Sequence, residues 1–193
     1  MKPLTPSDLL PLEAYARERS AFRARAIAHK KARKVHLGAH VTLLFEDRLT
    51  IQYQVQEILR TEKIFEPEGI AEELEAYNPL IPDGRNLKAT MLIEYEDSEV
   101  RRRELTKLRG VEHEVSLQVE GHAPVRAVAD EDLPRSNEEK TSAVHFLRFE
   151  LDDAMVADFG RGAKATLRIE HPACTIEQRL DEQQHRVLAA DFD

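Results

Sequence analysis

Residues 112–120 read EHEVSLQVE, in which His113, Val115, Leu117 and Val119 alternate with Glu112, Glu114, Ser116, Gln118 and Glu120. Successive side chains of a strand point to opposite faces, so a period of two describes a strand with one face in a core and one in water. A helix would scatter the same apolar residues around its circumference. The chain is therefore obliged to build a sheet that is covered on one side, and such sheets are antiparallel in most folds.

The elements around this strand recur in the same order. A strand over Lys88–Tyr95, a helix over Ser98–Arg109 ended by Gly110, the strand Glu112–Glu120, a turn at Gly121-His122 and a strand over Val125–Ala129 form the first set. After a polar linker, Asp130–Lys140, come a strand over Val144–Leu151, a helix over Asp152–Phe159, Gly160–Gly162, a strand over Lys164–Glu170, a turn at His171-Pro172 and a strand over Cys174–Leu180. The order predicts a duplicated β-α-β-β unit, resting on element order because LIEYE (92–96) and LRFEL (147–151) share little. A short helix over Asp181–Ala190 ends the pattern.

The first half is more helical. Thr5-Pro6-Ser7-Asp8 has the spacing of a capped helix start, and a longer helix follows Pro11 to about Lys34, with Leu12, Tyr15, Phe22 and Ala26 as a narrow apolar stripe. Val35–Phe45 reads as a strand interrupted by Gly38. From Thr50 the period changes: Ile51, Val55, Ile58 and Leu59 predict a helix to about Ile64, and Pro67 opens another that Asn78-Pro79 stops. The expected fold is α+β, a largely antiparallel sheet with N-terminal helices packed on it. It is expected as one domain, 1–193: a basic helical arm (1–34), a strand and helical segment (35–87) and the duplicated core (88–193).

Charge divides the chain. Residues 1–40 hold nine Lys/Arg against three acids, a net +6 that leaves −14 for the remainder of a chain totalling −8. The arm is expected to lie across the acidic body of the same chain or of a second copy in a homodimer. Nucleic acid is disfavoured as a partner, because the basic residues lack interleaved aromatics apart from Phe22 and the acidic body repels phosphate. No apolar run approaches the roughly 20 residues of a membrane span. MKPLTPSDLLPLE carries three prolines and two acids where a signal peptide would be apolar, which predicts a cytoplasmic protein. Cys174 is the sole cysteine, so neither an intrachain disulfide nor a thiolate metal cage can form within one chain.

Catalytic signatures are sparse. The stretch EKTSAVHFLRF (139–149) brings Thr141, Ser142 and His145 together. Strand parity puts Thr141, Ala143, His145, Leu147, Phe149 and Leu151 on one face and Ser142 on the other, so Ser142 and His145 cannot act as nucleophile and base. His145 is expected as a core histidine, buried neutral and hydrogen-bonded among Leu147, Phe149 and Leu151. His36 and His40 fall in a strand, about 13 Å apart, and form no metal pair there. A site assembled from distant histidines such as His113, His145 and His171 stays open. Tyr53, Gln56, Glu57 and Arg60 recur at i, i+3, i+4 and i+7 as a polar helix face. Glycine loops that cradle phosphates are absent from the sequence, and no cofactor is implied.

The stretches LFEDRLTIQYQVQEILRTE (43–62), ELEAYNPLIPDGRNLKATMLIE (73–94) and KTSAVHFLRFEL (140–151) together resemble a bacterial family of conserved domains of unknown function. The likeness spans nearly the whole chain. It implies no activity and no functional residues. It does imply genes lying beside those for rubrerythrin-like proteins and iron–sulfur oxidoreductase subunits, hence an accessory role in redox or peroxide defence with a redox-type protein partner. It draws attention to Tyr53, Gln56, Glu57, Tyr77, Asn78, Thr141, Ser142 and His145, which lie inside its motifs. The leading expectation is a non-enzymatic accessory or binding protein. The alternative is an enzyme, or a small-ligand or metal-binding protein, with a pocket between the 50–78 helices and the 141–145 strand entrance.

Overall fold

The structure, a computed structural model, describes residues 1–137 and 139–192; Glu138, inside the expected linker, and Asp193 lie outside them. The described residues form helices α1 (Leu12–Ala32), α2 (Arg48–Glu62), α3 (Pro67–Tyr77), α4 (Ser98–Lys107), α5 (Asp153–Gly160) and α6 (Glu182–Ala189). The strands are β1 (Lys34–Leu37), β2 (Val41–Phe45), β3 (Asn86–Ile93), β4 (Val115–Val119), β5 (Val125–Arg126), β6 (Val128–Ala129), β7 (Val144–Glu150), β8 (Ala165–His171) and β9 (Cys174–Arg179). The α+β class holds. No helix among the described residues is long and apolar enough to cross a membrane.

Local chemistry explains most boundaries. The side chains of Asp47, Asp97, Asp152 and Asp181 accept the free N–H groups at the starts of α2, α4, α5 and α6. Pro67 stands at the first turn of α3, where its missing N–H costs nothing. Within α2, Ile51, Val55 and Leu59 are buried one turn apart; the helix ends at Lys63 in the left-handed region (φ 57). Thr5-Pro6-Ser7-Asp8 starts only a single 3-10 turn, because Pro11 follows before a helix can lengthen.

Two antiparallel sheets replace the single expected one, in the orders β1-β2-β3-β7-β6 and β5-β4-β8-β9. Their inner faces share one core: Leu87, Ala89, Met91, Leu147 and Phe149 from the first meet Val115, Leu117, Val119, Leu167 and Ile169 from the second. Each of these side chains other than Ala89 contributes roughly 1.5–3 kcal/mol when fully buried. The run 125–129 is not one strand: β5 lies in one sheet and β6 in the other, with Ala127 donating to the Val115 carbonyl at the corner. Residues 35–45 likewise form a hairpin, with Gly38 at φ +66 in its turn. His40 therefore sits in the turn, stacked on Tyr95 at 4.1 Å, and not in a strand with His36. Strand–helix–strand–strand order occurs in β3-α4-β4-β5 and again in β7-α5-β8-β9.

The N-terminal helices hold a second core, with Leu4, Ile51, Val55, Leu59, Leu74 and Ile81 buried. The α1 stripe of Tyr15, Phe22 and Ala26 is buried, and α1 packs on α2 of the same chain. The basic arm is tied down by two cations: Arg19 pairs with Glu57 at 2.7 Å, and buried Arg33 reaches Asp47 at 3.3 Å and Asp191 near the C-terminus. Arg23, Arg25, Lys30 and Lys31 form no ion pair among the described residues; Arg25 lies over Phe22 and Lys30 over Tyr53.

Candidate functional site

His145 faces the interior at the start of β7 and is fully buried. Its Nδ1 lies 2.6 Å from Asp130 Oδ2; its Nε2 lies 2.8 Å from Thr141 Oγ1 and 3.1 Å from the Ser142 carbonyl oxygen. Thr141 donates to Glu112 Oε2 at 3.0 Å, and Ser136 donates to Glu112 Oε1. A carbonyl oxygen only accepts, as does an ionised carboxylate, so both ring nitrogens face acceptors. The pattern closes with every donor used when both carry protons: Nδ1 donates to Asp130, Nε2 to Thr141, and the two hydroxyls to Glu112. The expected core histidine is buried and hydrogen-bonded, with two carboxylates beside it in addition to the apolar neighbours of its strand.

Main-chain geometry sets up these contacts. Asp130 adopts a left-handed conformation (φ 51), which Asp tolerates better than most residues. Its N–H donates to the Phe146 carbonyl at 2.8 Å and its Oδ1 accepts from the Phe146 N–H at 2.9 Å, which ends β6 and turns Oδ2 toward the ring. Glu112 lies in a 3-10 turn, Val111–His113, ahead of β4. The expected strand over 112–120 therefore starts late; Glu112 is buried and His113 exposed, the reverse of the alternation. Burial acts to raise the Glu112 pKa, but the hydrogen bonds from Ser136 and Thr141 and the charge of His145 outweigh it and hold the carboxyl below its ordinary value.

Glu112, Asp130 and His145 each offer a ligand atom, all within 4.8 Å of one another. The carboxylates approach opposite edges of the ring, Asp130 at Nδ1 and Glu112 3.9 Å from Nε2. One ion takes one nitrogen of an imidazole, so it could not join both carboxylates without turning the ring. The arrangement is a hydrogen-bond chain that closes the linker onto the sheets. Thr141, 1% exposed, stands at the histidine as a nucleophile would, but no substrate can reach it. Ser142 points away as parity requires, its Oγ accepting from the Val144 N–H. Of the other histidines, His171 contacts the Arg109 carbonyl and His113 is exposed, so the three do not converge.

The helical candidates occupy a different place. Gln56, fully buried, accepts from the Leu10 N–H at 2.6 Å and donates to the Leu10 carbonyl at 3.2 Å. Asn78 does the same for Leu4, at 2.7 and 2.9 Å. Glu57 takes Tyr15 and both arms of the Arg19 fork, and Tyr53 stacks on Phe22. These side chains fasten the N-terminal segment to α2 and α3. No hydrogen bond links them to the His145 group among the described residues.

Between the two groups lies a cleft of about 250 Å³, bounded by Tyr77, Pro79 and Leu80 after α3, by Phe146 and Arg148 of β7, and by Lys88, Glu131, Asp132 and Arg135. Arg135 stacks over Phe146 at 4.5 Å and grips Asp132 at 2.5 and 2.6 Å. That grip lowers the Asp132 pKa to about 2. Arg135 also reaches Asp130 at 3.3 Å, joining the cleft to the His145 chain. Arg148 is held by Glu131 and Glu150. Tyr77 is the one family-motif candidate at the cleft wall. Glu112, Asp130, Ser136 and Lys88 escaped the sequence reading: Glu112 was placed on a water-facing side, Asp130 and Ser136 in a polar linker, and Lys88 at a strand end. The left-handed Asp and the 3-10 turn have no periodic signal that could have exposed them.

Comparison with known proteins bears on identity. No curated protein matches this chain. A crystal structure of a novel protein of unknown function from Burkholderia pseudomallei is 53% identical over 100% of both chains, with a TM-score of 0.94. The family model described as "Protein of unknown function (DUF3501)" matches residues 3–192, nearly the whole length on which the motifs and the fold have been traced; the chain belongs to the DUF3501 family.

Proposed function

We propose that the protein is a non-catalytic binding protein that takes a small organic ligand in the cleft between residues 76–80 and β7. The cleft carries this reading: it is concave, it has an aromatic floor, and charged side chains converge on its rim. The contrast with an enzyme is chemical, since the two threonine hydroxyls that meet a histidine, Thr141 at His145 and Thr42 at His36, are both buried and neither lines the cleft. Titration of a fragment library into isotope-labelled protein should move the amide signals of residues 76–80, 131–135 and 146–148. A library that shifts other regions and never these segments overturns the reading.

A second reading, an accessory protein acting on a protein partner or as a homodimer, draws support from the outer face of α1. There Arg23 and Lys31 flank Ile27, which is 48% exposed. Sedimentation of the wild type and of Ile27→Glu tests it: a dimer in the wild type that the variant dissociates supports the reading, and a monomer throughout removes the homodimer. The redox partner rests on the family resemblance alone.

A further inference from the structure

Lys88 differs from the other cations on the cleft. Arg148 and Arg135 each hold a carboxylate through two nitrogens, whereas the Lys88 ammonium forms no ion pair among the described residues and donates to the Pro79 carbonyl. In the sheet register it stands directly opposite Arg148. Like charges at opposed positions of an antiparallel pair are destabilising, and here Arg148 has Glu131 and Glu150 as partners while Lys88 has a carbonyl. Burial holds the Lys88 pKa below its ordinary value, outweighing the attraction of Asp83, Glu131 and Glu150. Its lining carries three cations, Lys88, Arg135 and Arg148, and two carboxylates, Glu131 and Asp132, each already held by an arginine.

The rest of the lining limits the body of the ligand. Phe146, Leu80 and Tyr77 present apolar surface, and about 250 Å³ falls below the usual range of roughly 300–1,000 Å³ for drug-sized ligands. Phosphate recognition favours an arginine fork, and both forks here are already engaged. Resting on the reading of the cleft as the ligand site, we propose that its ligand is a small monocarboxylate with an apolar body, the carboxylate paired with Lys88 and the body against Phe146.

Phenylacetate and its neutral counterpart phenylacetamide separate charge from shape. Titrated into the full-length labelled protein at pH 7, phenylacetate should bind at least tenfold more tightly, with shifts confined to the three cleft segments. Lys88→Met should bind acid and amide alike, and Lys88→Arg should keep the preference for the acid. Equal affinities in the wild type overturn the carboxylate assignment while leaving the cleft as a binding site. A preference that survives in Lys88→Met overturns the role of Lys88. Binding of neither probe also overturns the inference, and the fragment titration then decides the cleft separately. The wild-type comparison stands even if a variant fails to fold.

Discussion

Two ionic clusters lie in the interior, and they are completed to different degrees. Around His145, Asp130 and Glu112 have all four carboxylate oxygens engaged and both ring nitrogens paired. Around Arg33, the guanidinium donates to the Phe45 and Glu46 carbonyls, reaches Asp47 and pairs with Asp191, while His29 meets Asp47 at 2.5 Å. Yet Glu46 Oε2 and Asp191 Oδ1 are buried without a hydrogen-bond partner. The first cluster is a finished lock on the linker. The second is held in place by the packing around it and is the one that responds to protons: burial outweighs the attraction of Arg33 and pushes the Asp191 pKa up to about 6.

The sharpest test of that contrast removes the ring at the centre of the finished lock. His145→Leu would leave Asp130 and Glu112 buried without the ring between them, and breaking a buried pair costs about 3–5 kcal/mol. Urea unfolding should show the loss, with limited proteolysis opening the 130–141 linker first; an unchanged midpoint would mean that the cluster stabilises nothing.

The open cluster should show its difference through pH. The folded pKa of Asp191, about 6, stands above its ordinary value of 3.8, so folding favours the protonated form. This contribution is full below 3.8 and is lost as pH rises through 6. Between pH 5 and 7.5 the wild type should lose on the order of 1 kcal/mol relative to Asp191→Asn, given about 1.4 kcal/mol per pKa unit. Parallel unfolding curves for the two proteins at both pH values would contradict the raised pKa.

Neutral clamps give an intermediate standard. Asn78→Ala removes both bonds to the Leu4 backbone and leaves buried groups unpaired, for a loss of about 1–3 kcal/mol. Hydrogen exchange should then quicken at the Leu4 amide; protection equal to the wild type would show that Asn78 is not what fastens it. The smallest effect is expected at the water-exposed rim. Glu131→Gln weakens its pair with Arg148, and exposed pairs contribute about 0.2–1 kcal/mol, so its unfolding midpoint should stay close to that of the wild type. A loss as large as that of His145→Leu would erase the distinction between rim and interior.

Much of the framework was legible because its causes are local. The change of period at Thr50, the proline at 67 and the alternation of Val115, Leu117 and Val119 each reflect neighbours in the chain, and α2, α3 and β4 appear within a few residues of where these signals put them. Parity also placed Thr141 and His145 on one face, where they meet at 2.8 Å. The site itself was mostly hidden. Glu112 was read as water-facing because a 3-10 turn carries no period of two, and Asp130 looked like the start of a loop.

The sequence by itself determined where helices begin, which strand faces are apolar and that Ser142 cannot serve His145, since caps and side-chain parity act over one to four residues. Only the tertiary structure decided that the strands divide between two sheets, that Asp130 and Glu112 close on His145, and that Arg33 meets Asp191, 158 positions away. Such contacts depend on how loops close and which faces pack. No local pattern encodes them, because a carboxylate bound for the interior and one bound for water are the same residue until the chain folds around it.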